Sequence, residues 1–301
     1  MKEKLLMIST IFMSLMLLSG CAAANQSPTA AETAQLPEQT QNIAEQTETR
    51  GKVEEIKQKG VIRIGSTGDY RPMSYLNAET ETYEGFDVEL ANDLSEKLGV
   101  KIEYVPTTWP TLMEDTLDGK FDLAVCGITV TDARKEQALM SNGYLGNGKT
   151  ILIRAEDIDK YKSLEDINRP EVRVMENPGG LNEKFARENL PDAQLIIHEE
   201  NAEIPGLIAE GEADVMITEI MEAGFYVGQD KRLAAPLIYE PFTNGQLGFL
   251  MPKGSDDLLE YVNGFLDEEK ESGRIDELAD QYIYSCIDTS ENEKDISALA
   301  S

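Results

Sequence analysis

The chain offers few residues for nucleophilic or metal chemistry. Its single histidine, His198, ends an apolar run and is followed by Glu199-Glu200, which reads as a surface residue. Cys21, Cys126 and Cys286 are too widely spaced for a zinc knuckle, so no metal site is expected. Cys126 lies in an apolar run and reads as a small core residue; a Cys126–Cys286 disulfide is conceivable, but sequence alone cannot bring the two within bonding distance. With one imidazole available, proton transfer falls to carboxyl groups, of which there are 56. A carboxyl group donates a proton near neutral pH only where desolvation raises its pKa. Glu222, in Met221-Glu222-Ala223, has apolar neighbours, but on that ground alone a solvent-facing helix glutamate fits it as well. Asn177-Pro178-Gly179-Gly180 opens a helix and leaves backbone N–H groups free for an anion, with Asn177 as an N-cap or a ligand contact. Trp109, the only tryptophan, follows a strand between Thr108 and Pro110; it suits a cleft wall as well as core filling. Gly143 to Thr150 matches the phosphate-loop pattern G-x-x-x-x-G-K-T, but it follows a helix and opens the β-rich Ile151-Leu152-Ile153, the reverse of what that loop requires.

The elements that position these residues alternate. Strands are expected over 61–65, 102–105, 121–125, 149–154, 172–175, 195–198, 215–218 and 247–252. Helical periodicity covers 86–98, stopped by Gly99, and also 112–118, 131–140, 181–189, 202–211, the segment after Glu219, 258–272 and 275–282. This βαβα order, repeated twice, predicts an α/β chain of two lobes, each a mostly parallel sheet flanked by helices. Residues 51–150 with 243–286 form one lobe and 151–242 the other, and ligand binds in the cleft between them, beyond the carboxyl ends of the strands.

Composition limits the partners. The net charge is −29, with 27 basic against 56 acidic residues, which argues against nucleic acid, since phosphate neutralisation needs a basic footprint. A mean hydropathy of −0.35 and one long apolar run exclude a multi-span membrane protein. That run, Leu5 to Leu18, follows Lys2 and Lys4 and ends Leu18-Ser19-Gly20-Cys21, which resembles a bacterial lipobox. The expectation is a lipoprotein signal peptide over 1–20, lipidation at Cys21, and tethering to the outer face of the cell membrane. Cleavage would remove Lys2, Glu3 and Lys4 and take the charge from −29 to −30. Residues 21–50 read as a flexible polar tether reaching roughly 30 Å, and 287–301 as a polar tail.

Gly60 to Tyr75, Glu84 to Gly99 and Phe121 to Arg134 together resemble the bacterial extracellular solute-binding proteins for amino acids. The resemblance covers about 52–286 and implies a two-lobe periplasmic-binding-protein-like fold of type II. In that family a cleft-facing arginine and a helix N-terminus hold an α-carboxylate; Arg134 and the Asn177–Gly180 turn occupy the matching positions, with Gly127 and Thr129 beside them. Further segments are similar to a narrower group, the cyclohexadienyl dehydratases. They are Thr67 to Tyr70, Val105 to Pro110, Gly148 to Thr150, Asn177 to Arg187 and Thr218 to Ala223. That group removes water and carbon dioxide from prephenate or arogenate, giving phenylpyruvate or phenylalanine. The resemblance implies Glu222 as general acid and Lys149 as the cation holding the departing carboxylate. Tyr70, Trp109, Arg134, Asn177, Gly179, Gly180 and Glu219 become substrate contacts, and no cofactor is called for. Leu181 departs from the hydroxyl residue common after Gly180, and Glu219 stands where amino-acid binders carry a shorter aspartate; both favour a keto acid over an amino acid, or a drifted ligand. The alternative is a solute-binding lipoprotein serving an ABC permease.

Overall fold

The computed structural model describes residues 51–284. The leader, Cys21, the tether, Cys286 and the tail lie outside the described residues. Among those described, no helix is long and apolar enough to cross a membrane.

Two mixed sheets form the framework. In the first, Val61–Ser66 lies between Lys101–Pro106 and Leu123–Thr129 and runs parallel to both. Gly245–Met251 runs antiparallel to Leu123–Thr129 and also pairs with Leu139–Met140 and Leu145–Asn147. In the second, Arg173–Glu176 lies between Gln194–Ile197 and Val215–Glu219, again parallel to both. Lys149–Arg154 runs antiparallel to Val215–Glu219 and pairs with Leu233–Ala234. The antiparallel strands are where the architecture departs from mostly parallel sheets. The chain passes from the first sheet at Asn147 to the second at Lys149, and returns between Ala234 and Gly245. A segment crossing directly between sheets has no helix to turn it round, so it runs against its βαβ neighbours.

The helix Phe86–Leu98 buries Phe86, Leu90, Ala91, Leu94 and Leu98 on one stripe against the first sheet. Gly99, at φ 73°, ends it in the left-handed conformation. Around the second sheet, Ile151, Val174, Val215 and Ile217 pack on one face, and Leu152, Met175 and Met216 on the other.

Three local expectations shift. The helix foreseen over 131–140 is only Asp132–Gln137, because Leu139–Met140 joins the sheet beside Gly245–Met251. The strand foreseen over 121–125 is Leu123–Thr129; burial is continuous from Phe121 to Ile128, so no alternation marks its ends. A small sheet of Asp69–Tyr70, Ser74–Asn77 and Thr82–Glu84 was not foreseen, since its strands are short and polar.

Candidate active site

Cleft side chains project from the carboxyl ends of strands, as the topology requires. Asp69 and Tyr70 follow Val61–Ser66; Gly127 and Thr129 end Leu123–Thr129; Asn177 follows Arg173–Glu176; Glu219 ends Val215–Glu219, with Glu222 one helical turn on. All of these but Asp69 line one cavity. Tyr70, Trp109, Gly127, Thr129 and Arg134 line it from the first lobe; Asn177, Gly180, Glu219 and Glu222 line it from the second.

Glu222 is 1% exposed. Its Oε1 accepts from Asn201 Nδ2 at 2.9 Å, and its Oε2 lies 2.5 Å from Thr218 Oγ1. The Asn201 amide also donates to the Asp69 carbonyl at 3.1 Å, so the acid is clamped by a residue that bridges the lobes. Burial pushes the Glu222 carboxyl up to about 8, reinforced by the charges of Glu219 and Asp69 and opposed by the Thr218 and Asn201 hydrogen bonds. It is therefore a protonated acid at neutral pH.

Arg134 is half-buried. Its Nη1 donates to the Thr129 carbonyl at 2.7 Å, and among the described residues no carboxylate pairs with it. Burial holds the guanidinium below its ordinary value. A desolvated fork with no counterion is a receptor for a carboxylate.

Glu219 receives three donors. The Tyr70 hydroxyl reaches Oε2 at 2.6 Å, while Lys149 Nζ and Thr129 Oγ1 reach Oε1 at 3.3 and 3.4 Å. The Tyr70 ring lies 6.0 Å edge-on from Trp109, whose Nε1 donates to Asp69 at 3.1 Å. Trp109 is thus a half-buried, oriented cleft wall.

Two expected contacts stand apart from the cavity wall. Lys149 touches the site through Glu219 and through Asn182 Oδ1, at 2.5 Å, and lines a neighbouring recess instead. Gly179 does not line the cavity: its N–H donates to Glu183 Oε2 at 2.7 Å, so that part of the anion turn is filled by the helix's own carboxylate. Gly179 matters sterically. At φ 78° it abuts Pro110 of the opposite lobe, and an added Cβ would lie 2.6 Å from Pro110 Cα. Gly127, at φ 69°, leaves the same kind of space for the Tyr70 ring.

Residues the sequence did not single out complete the site. Asn182 and Asn201 line it, and nothing in their local pattern marks them. Asp87 bonds the Gly127 N–H at 2.6 Å and the Tyr144 hydroxyl at 2.5 Å; burial pushes its carboxyl up to about 7. Glu176, fully buried, accepts the Ile217 N–H at 2.6 Å and so holds the strand that delivers Glu219; burial raises its pKa strongly. An acid inside an otherwise apolar strand end was the available signal for Glu176.

His198 pairs with Glu203 at 2.8 Å, outside the cavity wall. Cys126 is buried, and burial pushes its thiol up to about 12, which makes it inert. Gly143 to Thr150 forms two strand segments and opens no helix, so the phosphate-loop pattern is coincidental.

The raised acid has a consequence for stability. A carboxyl whose folded pKa exceeds its unfolded value contributes stability below the unfolded pKa, and this is lost as pH rises through the folded pKa. For Glu222 the window runs from 4.5 to about 8. Glu222→Gln is expected to raise the melting temperature by an amount that grows across this window and then levels off. The plateau should be roughly 10–20 °C, from about 5 kcal/mol at roughly 2–4 °C per kcal/mol. Thermal denaturation at pH 5, 7 and 9 tests this; a gain independent of pH would refute it.

Residues 62–285 match the bacterial extracellular solute-binding proteins, family 3. The chain is similar to the cyclohexadienyl dehydratase of Pseudomonas aeruginosa, at 37% identity over 232 residues, 77% of this chain and 86% of the relative. It is 26% identical over 231 residues to the glutamine-binding protein of a Bacillus subtilis ABC transporter, covering 76% of this chain and 83% of the relative. Among solved structures, an ancestral amino acid-binding protein described as a precursor of cyclohexadienyl dehydratase superposes with a TM-score of 0.71 at 36% identity, covering 78% of this chain and all of that one. An arginine-bound amino acid ABC transporter substrate-binding protein from Streptococcus pneumoniae superposes equally well, at 0.71 and 26% identity, over 78% of this chain and 99% of that one. With two mixed sheets, ligand-facing residues at their carboxyl ends, and a match across nearly all the described residues, the chain belongs to the bacterial extracellular solute-binding proteins of family 3.

Proposed function

We propose that this protein is an extracytoplasmic cyclohexadienyl dehydratase. The observation that carries the reading is Glu222: a buried carboxyl, protonated at neutral pH, in the wall of a cleft whose other lobe presents an unpaired guanidinium. Asp87 and Glu176 are buried behind the cleft, where they hold backbone N–H groups, whereas Glu222 lines the cavity, where dehydration of a ring alcohol requires an acid.

Arg134 takes the side-chain carboxylate, and Trp109 and Tyr70 flank the unsaturated ring. Glu222 gives its proton to the ring hydroxyl as the carbon–oxygen bond breaks and water departs. The bond from the ring to its carboxylate breaks in concert; its electron pair completes the aromatic ring and carbon dioxide leaves. Lys149, behind the cavity wall and 3.3 Å from Glu219, acts on that carboxylate through its charge until it goes. Glu222 then regains a proton from solvent. By resemblance of its first 21 residues to a lipobox, the protein is held to the outer face of the cell membrane by lipid on Cys21.

The test is purified protein with prephenate at neutral pH, with phenylpyruvate followed by ultraviolet absorbance. Turnover well above the spontaneous reaction is expected. Absence of turnover, together with calorimetric binding of an amino acid, would select the transport reading instead.

A further inference from the structure

We propose that Glu219 is already occupied by the protein's own donors, so that the site selects a keto acid over the matching α-amino acid. This rests on the dehydratase reading and specifies its substrate.

An α-ammonium needs a carboxylate acceptor in the cleft, and each acidic group near it is engaged. Glu219 is almost fully buried; Tyr70 donates to one oxygen, and Lys149 and Thr129 share the other. A substrate ammonium bound there would sit against the Lys149 ammonium, and two like charges on one carboxylate repel in a desolvated cleft. Glu222 is clamped by Thr218 and Asn201, and it must keep its proton to act as the acid. Asp69 receives the Trp109 indole and does not line the cavity. A carbonyl oxygen asks for the opposite partner, a donor, and the amides of Asn177 and Asn182 line the cavity.

Initial rates with prephenate and arogenate, measured in parallel on the full chain, test the proposal. The expected kcat/KM ratio favours prephenate by about tenfold or more, expressed in KM. In Lys149→Met both rates fall, but Glu219 is freed for an ammonium and the ratio narrows to within about threefold. A purely structural role for Lys149 would lower both rates and leave the ratio unmoved, which would overturn the assignment. Arogenate turned over as well as prephenate overturns this inference alone. Turnover of neither overturns it together with the dehydratase reading.

Discussion

Glu222→Gln is expected to lower kcat by about two to four orders of magnitude while leaving KM within about threefold, because it removes an interaction made only as the proton moves. Glutamine keeps the shape and both contacts: its carbonyl can accept from Asn201, and its amide can donate to Thr218. What it lacks is the proton. The parent enzyme should keep full kcat while Glu222 is protonated, then lose about tenfold per pH unit above a pKa of about 8, because the ionised form cannot donate. The residual activity of the variant should lose this alkaline limb. Stopped assays between pH 6 and 10, with circular dichroism to confirm the fold, decide the matter; kcat within tenfold of the parent would remove Glu222 from the role. The same substitution that removes activity should stabilise the protein at alkaline pH. That opposition is what a functional acid buried against its own ionisation predicts.

How far the sequence anticipates the site depends on where each residue's physical signal lies. Phe86–Leu98 and Lys149–Arg154 are legible to the residue, because their apolar periods end at Gly99 and at charged or small neighbours. The Asn177–Gly180 turn is legible from proline and glycine chemistry. Glu222 is not legible from periodicity: it is held by Asn201, which also binds the Asp69 carbonyl, 21 and 153 positions away, and only family resemblance singled it out among 56 acidic residues. Asn201 illustrates the limit, since a bridge between lobes is a property of closure and leaves no local trace. Lys149 shows a different one. The strand position is correct, yet its neutralisation of Glu219 follows from antiparallel pairing across the crossover, where Glu219 stands opposite Lys149. A reading that expected mostly parallel sheets had no reason to place those residues side by side.

Arg134→Met is expected to raise KM by about thirty- to a thousandfold with a much smaller change in kcat, the loss of roughly 2–5 kcal/mol seen when one partner of a desolvated charge pair is truncated. The guanidinium is positioned before any ligand arrives. Thr131 caps the short helix Asp132–Gln137 by accepting the Arg134 N–H at 3.3 Å, and the Thr129 carbonyl fixes Nη1 at 2.7 Å. The rest of the fork has no carboxylate among the described residues, so its desolvation is uncompensated until substrate binds. Methionine preserves much of the apolar stem and removes the charge, so the unliganded variant should melt at the same temperature as the parent or higher. The parent should gain stability with substrate as the logarithm of concentration over Kd, and the variant should show almost none of this gain over the same range. Arg134→Lys keeps the charge without the planar fork and should fall between the two. Melting curves with increasing prephenate in the Glu222→Gln background, where the ligand is not consumed, separate binding from chemistry. Undiminished ligand stabilisation in the double variant would show that the carboxylate is held elsewhere, and would leave the Asn177–Gly180 helix entrance as its receptor.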